Sequence, residues 1–332
     1  MLAYIIRRLL TMIPTLIAIS IISFVIIQLP PGDFLTTYVA QLHASGEMID
    51  QAEFDALQQR WGLDEPLYMQ YLHWAWNFIH GDFGHSFEWN RPVSSLVAER
   101  IPLTILISAC TMLFTWAVAL PIGIYSAVRQ YSWVDYLLTF IGFIGLATPN
   151  FLFALVLLWF SYAYLGMSVG GLFSPEFADA PWTVAKFVDL LKHLWIPVLI
   201  VGTGHTAKFI RIMRGNLLDE LKKPYVVTAR AKGLSETRLI LKYPVRVAIN
   251  PLISTIGWTL PELVSGIAIT AVVLNLPTSG PLILGALLSQ DMHLAGAFIM
   301  LLSLLTVVGT LLSDLLLAWV DPRIRFGARE GT

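Results

Sequence analysis

The chain has 332 residues, of which 56% are hydrophobic and only 13% charged, with a formal net charge of -1. A soluble domain carries about 25% charged residues, and mean hydropathy here is +0.70. This composition excludes a disordered chain, argues against an ordinary cytosolic enzyme and points to a membrane protein. The single cysteine, Cys110, lies in an apolar stretch, so an intrachain disulfide and a cysteine-based metal cluster are excluded.

A helix that crosses a bilayer needs about 20 mostly apolar residues. Stretches without Asp, Glu, Lys or Arg predict six such helices. The first is 9–32. It follows Arg7 and Arg8, but its apolar run exceeds the roughly 7–15 residues of a signal core, and no small-residue cleavage site follows it, so it reads as a retained anchor. The second is 101–128. The third, 136–175, is long enough for one helix and a loop. The fourth, 193–207, is short and continues into the polar stretch after it. The runs 247–261 and 263–290 flank Glu262 and read as one helix near 251–275 plus a loop. The last, 292–313, extends past Asp314 to Val320. Six spans put both termini on one side. The positive-inside bias chooses the cytoplasm, because that assignment places 16 of the 21 Lys and Arg residues inside.

Two large soluble segments remain. The external one, 33–100, carries ten acids and three bases. Within it a helix is predicted over 51–61. A second is predicted over 67–80, capped by Asp64 with Pro66 in its first turn and ended by Gly81. Tyr68, Tyr71, Trp74, Trp76 and Phe78 give that second helix an aromatic density suited to the headgroup region. The segment is either a docking surface for an external partner or a structural cap over the bundle. His73, His80 and His85 form no compact ligand set, so no metal is expected.

The internal segment, 208–246, carries ten bases and three acids. Lys208, Arg211 and Arg214 recur every three residues as a basic helical face, and Phe209, Met213 and Leu217 every four as an apolar one. Then Pro224 and Gly233 delimit a helix of about two turns, and Ser235 can cap the next, with Glu236 at its first position. So short a helix is marginal in water. It needs a surface to hold it, and a helix-in-groove contact is expected; the other reading is a basic connecting loop bound to anionic lipid.

The run YVVTARAKGLS from Tyr225 to Ser235 resembles the cytoplasmic signature of ABC importer permeases of the peptide/opine/nickel class. The chain is similar, over nearly its whole length, to the first of the two permease subunits of oligopeptide and dipeptide importers. MLAYIIRR at 1–8, IPTL at 13–16, PGD at 31–33, GLDEPL at 62–67, GDFG at 81–84 with Ser86, RPV at 91–93 and DPRIR at 321–325 occur in that family's order.

The resemblance implies an all-α, polytopic type I ABC importer transmembrane domain. It would comprise a first helix (1–32), an external segment (33–100) and a five-helix core (101–332) with its coupling loop at 208–246. Tyr225, Thr228, Ala229, Arg230, Ala231, Lys232 and Gly233 would form the coupling helix that docks on an ATPase, with Thr228 in place of the usual Glu. The implied partners are a second permease subunit in a heterodimer, two cytoplasmic ATP-binding subunits, an extracytoplasmic solute-binding protein and the lipid bilayer. No nucleic acid and no cofactor are implied, and the location is a bacterial or archaeal plasma membrane. Two departures stand out. KYPVRVA at 242–248 replaces the family's Lys-His-x-x-Arg-Asn-Ala, and Ala271 with PTSG at 277–280 replaces an acid followed by Pro-Gly-x-Gly. Loss of that acid opens the possibility of a neutral substrate such as a short oligosaccharide.

Glu262 and Asp314 are intramembrane acids and therefore candidates for function. Glu262 reads either as facing a pathway or a partner's base, or as a structural contact; Asp314 reads as a helix-packing residue. An ion-coupled secondary transporter acting through these acids is the alternative reading. The chain contains no Gly-Lys dipeptide and hence no Walker A loop, so ATP hydrolysis would belong to another subunit. It also lacks the His-Glu-x-x-His and Gly-x-Ser-x-Gly patterns of an intramembrane enzyme.

Overall fold

The computed structural model describes residues 2–28, 35, 39, 51–60, 64–165, 170–178 and 180–320. Its helices in chain order are α1 (Leu2–Gln28), α2 (Gln51–Arg60), α3 (Leu67–Ile79), α4 (Val93–Val128), α5 (Trp133–Ala147), α6 (Asn150–Leu165), α7 (Val184–Leu221), α8 (Pro224–Ala231), α9 (Glu236–Lys242), α10 (Pro244–Ala248), α11 (Asn250–Ser254), α12 (Ile256–Gly266), α13 (Ala268–Val273), α14 (Ser279–Leu288) and α15 (Met292–Val320). One two-residue pair of antiparallel strands, β1 (His85–Ser86) and β2 (Arg91–Pro92), is the only strand pairing among the described residues. The PGD and DPRIR motifs and part of GLDEPL lie outside the described residues.

Among the described residues, three helices are long and apolar enough to cross a membrane: 10–28 within α1, α4, and 292–317 within α15. A fourth span results if α5 and α6 are counted as one. Sequence reading expects a single helix plus a loop there, and the structure breaks it into two helices bent by 101°. The cause is local. Pro149 has no N–H to donate, and it pushes Thr148 out of the helical region to φ -85°, ψ 121°.

The helix expected near 251–275 is likewise subdivided, into α11, α12 and α13. Two prolines and two glycines fall between 251 and 266, and each weakens a helix interior. The breaks are slight. Thr255 and Ile267 keep helical angles, and the backbone ladder continues through Thr259 N to Thr255 O (2.9 Å) and Ala271 N to Ile267 O (2.7 Å). The stretch after it, expected as loop, contains α14. Asp64 does not cap α3; Pro66 holds the cap position, without a side-chain bond.

The fourth predicted helix does continue into the polar stretch. As α7 it runs 38 residues without interruption.

The chain divides into two compact units. One is built from Thr104–Pro277 with Thr306–Thr332. Its core contains the predicted apolar stripe of α7: Phe209, Met213 and Leu217 are all buried, against Ala119 and Ala127 of α4, Ala248 and Leu252. Glycines set the closest helix approaches. A Cβ on Gly123 would lie 2.7 Å from Met213 Cβ, and one on Gly202 2.6 Å from the Phe114 ring. A Cβ on Gly257 would lie 2.7 Å from Thr310 Cα, and Gly309 faces the Gly257 backbone in return. Small residues at such crossings let backbones meet where lipid offers no hydrophobic drive.

The other unit is built from Leu2–Leu103 with Thr278–Leu305. Its core joins Phe24 and Ile27 of α1, Trp74 of α3, Val93 and Leu96 of α4, and Leu282, Leu294 and Phe298 of α14 and α15.

Candidate functional site

The segment following α7 is built as sequence reading expects, with one addition. Lys223 occupies the cap of α8, Pro224 starts it, and the chain leaves through Gly233 at φ +76°. The Gly233 N–H donates to Arg230 O at 3.0 Å, and Lys232 N–H to Thr228 O at 3.1 Å. The addition is an internal support. Val226 and Ala229 are buried against Leu239 and Ile240 of α9. Arg230 closes this pair by donating Nε to Glu236 Oε1 at 2.5 Å and a terminal nitrogen to Oε2 at 3.1 Å. Those hydrogen bonds, and the guanidinium charge behind them, hold the Glu236 carboxyl below the usual glutamate range and push the Arg230 guanidinium up. Ser235 sits at the α9 cap without a side-chain bond.

One face of α8 is thus held by its own chain. Tyr225, Thr228, Ala231 and Lys232, together with Val227, are exposed on the rest. Thr228 satisfies its hydroxyl within the helix by donating to Pro224 O at 3.0 Å, and the Tyr225 hydroxyl donates to Glu220 at 2.5 Å.

The basic face of α7 is tied to neighbouring helices. Arg214 donates to Asp135 Oδ2 at 2.9 Å, and Asp135 also accepts from Tyr131 N–H at 3.0 Å. Lys208 Nζ lies 3.8 Å and His205 Nε2 4.0 Å from Glu262 Oε1. Glu262 of α12, about half exposed, therefore has basic neighbours within its own chain. Asp314 lies on α15, half-buried, next to Ser313, whose hydroxyl donates to Ile253 O at 2.7 Å. Arg246 of α10 donates Nε to the last described carbonyl of α15, Val320 O, at 3.0 Å. Ala271, where the resemblance implies an acid, is fully buried.

In the other unit a second polar knot appears. Asp291, fully buried, caps α15 by accepting from Leu294 N–H at 3.1 Å. Its other oxygen accepts from the Ser86 hydroxyl at 2.5 Å and from Glu88 N–H at 3.2 Å. Ser289 donates to Glu88 at 2.8 Å. Gly84, at φ +76°, leaves only 2.8 Å between a would-be Cβ and His293 Nδ1. The GDFG and Ser86 motif is thereby a strap that fastens the turn before α4 to the turn between α14 and α15.

Comparison with known proteins decides the family. The model described as binding-protein-dependent transport system inner membrane component matches residues 119–326. That of the N-terminal part of such membrane components matches 1–108. The chain belongs to this family of transport system inner membrane components. It is 37% identical over 328 residues to the oligopeptide transport system permease protein AppB of Bacillus subtilis (strain 168), covering 98% of this chain and 100% of that protein. It is 30% identical over 341 residues to the dipeptide transport system permease protein DppB of Escherichia coli (strain K12), covering 98% and 99%. It is 33% identical over 326 residues to the glutathione transport system permease protein GsiC of Escherichia coli O1:K1, covering 98% and 100%.

For an inner membrane component of this kind, two features of the structure escape sequence reading. Asp135 had a local signal: Ser132 and Asp135 stand at capping-box spacing, and the Ser132 hydroxyl does accept from Asp135 N–H at 3.2 Å. Asp291 had none, because its partners Ser86 and Glu88 lie some 200 residues away in the chain.

Proposed function

We propose that this chain is the translocation subunit of an ATP-driven, binding-protein-dependent importer of short peptides. It spans a bacterial or archaeal plasma membrane six times with both termini cytoplasmic, divided at 1–32, 33–100 and 101–332. It acts with a second permease subunit, two cytoplasmic ATP-binding subunits and an extracytoplasmic solute-binding protein. Closure of the ATP-binding subunits displaces α8, and α7 passes the displacement into the bundle. The observation that carries this reading is α8 itself. It is a two-turn helix fastened along one side by α9 and the Arg230–Glu236 fork, with Tyr225, Thr228, Ala231 and Lys232 left outward. Such a face suits insertion in a groove. An ion-coupled transporter has no use for it.

The relatives named above are permeases for oligopeptides, dipeptides and glutathione. Their names support peptides over the short oligosaccharides that Ala271, in place of the family's acid, leaves open. The test is deletion of the gene followed by uptake of a labelled tripeptide beside a labelled trisaccharide, with complementation. Loss of tripeptide uptake, restored by the wild-type gene and not by Gly233→Pro, is expected. Selective loss of trisaccharide uptake would refute the peptide assignment. Normal uptake through the Gly233→Pro variant would refute the role of α8.

A further inference from the structure

We propose that α3 is an interfacial helix whose outer face is embedded in the acyl–headgroup boundary of the bilayer, so that the external segment rests in the lipid as well as on the protein. The helix has three distinct faces. Gln70, Tyr71, Trp74 and Phe78 turn inward. Trp74 packs against Phe24 of α1 and against Gly296 of α15. Tyr68, Leu72, Trp76 and Ile79 follow at helical spacing on another face and are 67%, 54%, 66% and 78% exposed. Between these faces runs a narrow polar edge, His73 and Asn77, both exposed, with His73 Nδ1 3.0 Å from Glu65. A helix standing in water would not leave four large apolar side chains uncovered. A helix between protein, hydrocarbon and water requires these three faces.

Depth decides which environment covers the apolar face. Tyr71 shares a hydrogen bond of 2.9 Å with Ser20, and its ring meets Phe24 edge-on at 5.5 Å. Ser20 lies eight residues before Gln28, the end of the apolar stretch 10–28. At 1.5 Å per residue that is about 12 Å back along a spanning helix. Because α3 packs alongside those last two turns, its far side lies at the level of the lipid that bathes α1. The exposed Ile21, Ile22, Val25 and Ile26 of α1 at the same depth face that environment too.

The chemistry of the surface narrows the lipid class. No Lys or Arg occurs between Arg60 and Arg91. Attachment is therefore hydrophobic and aromatic, with no basic group to recruit anionic headgroups.

The test places a nitroxide at single cysteines replacing Tyr68, Leu72, Trp76 or Ile79, and His73 or Asn77, in a Cys110→Ser background. The full chain is extracted into phosphatidylcholine nanodiscs in whatever assembly it forms. Labels on the first four positions are expected to collide preferentially with oxygen, and those at His73 and Asn77 with a water-soluble nickel chelate. Exchange of phosphatidylcholine for phosphatidylglycerol is expected to leave this contrast unchanged. Nickel access at all six positions would overturn the proposal. So would shielding of the four apolar positions from both reagents, which would mean a protein partner covers them. The wild-type chain supplies an independent measurement. A diazirine-bearing phosphatidylcholine should leave adducts on the 67–79 peptide, and their absence, with adducts present on α1, would equally overturn it.

Discussion

Replacing Gly233 by alanine adds one methyl group to open space, since nothing lies within 4 Å of the position a Cβ would take. The cost is therefore conformational rather than steric. At φ +76° the residue sits in the left-handed region, where an ordinary L-residue is penalised by about 1–2 kcal/mol. A change of that size alters a local equilibrium by about 5- to 30-fold. The state that gains is one in which α8 runs on past Lys232, or frays before it, and the Arg230–Glu236 fork is misaligned. Asparagine tolerates the left-handed region and should lose little, valine should lose more than alanine, and proline most, because it also removes the N–H that bonds Arg230 O. The assay is peptide uptake and substrate-stimulated ATP hydrolysis by the reconstituted complex. The expected order is Gly, Asn, Ala, Val, Pro, with the ratio of uptake to hydrolysis falling and membrane insertion unchanged. If alanine and valine variants couple as well as the asparagine variant, the turn does not set the coupling geometry and the reasoning fails.

Gly257→Val should lower stability by about 1–3 kcal/mol or more, because its Cβ meets the Thr310 backbone at 2.7 Å and no flexible side chain can move aside; thermal melting in detergent reads this. Within the Asp135–Arg214 pair the two truncations should differ. The Arg214 side chain is 29% exposed and the Asp135 side chain 3%, so Arg214→Leu, which strands the buried carboxylate, should approach about 3–5 kcal/mol, while Asp135→Asn costs less; equal losses in denaturation would contradict this. Because the Glu236 carboxyl is held below its ordinary range, its link to Arg230 is complete above that range and is lost as pH falls through the lowered value. The hydrogen-exchange protection factor at α8, corrected for the intrinsic exchange rate, should fall on that acid side in the wild type and stay constant in Glu236→Gln. Asp291→Ala should release the strap around Ser86, seen as increased protease cleavage between 82 and 92, with α8 unaffected.

The parts of the fold readable from sequence are those governed by neighbours along the chain. The ends of α8 follow from a proline that cannot donate and a glycine that accepts positive φ, and both are where expected. The buried seam of α7 follows from the spacing of Phe209, Met213 and Leu217. What was not legible depends on meetings in space. The basic face of α7 read as a charge pattern, yet two of its members find carboxylates on α5 and α12. The sharp bend between α5 and α6 was hidden because apolar composition is blind to direction, even though Pro149 marked the spot. Likewise α14 reads as loop in the sequence because of Pro277 and Gly280, yet Pro277 stands just before the Thr278 cap and Gly280 lies in the first turn of the helix. Glu262 and Asp314 were found by their charge alone, and the contacts around them came only with the fold.

The length of α7 has a mechanical consequence. Thirty-eight residues at 1.5 Å each make a rod of about 57 Å, nearly twice the roughly 30 Å of a hydrocarbon core. At one end Asp189 grips Ser174 through its N–H and hydroxyl, both at 2.7 Å; toward the other, Arg214 grips Asp135. A rigid rod converts a rotation of a few degrees about its middle into about 2–3 Å of opposite travel at its tips. Its proline, Pro197, buried in the interior, is a built-in weak point, because a backbone donor is missing there. Whether the two tips move as one or independently depends on the bending stiffness at that residue, so Pro197→Ala would join two half-rods into a single stiff one.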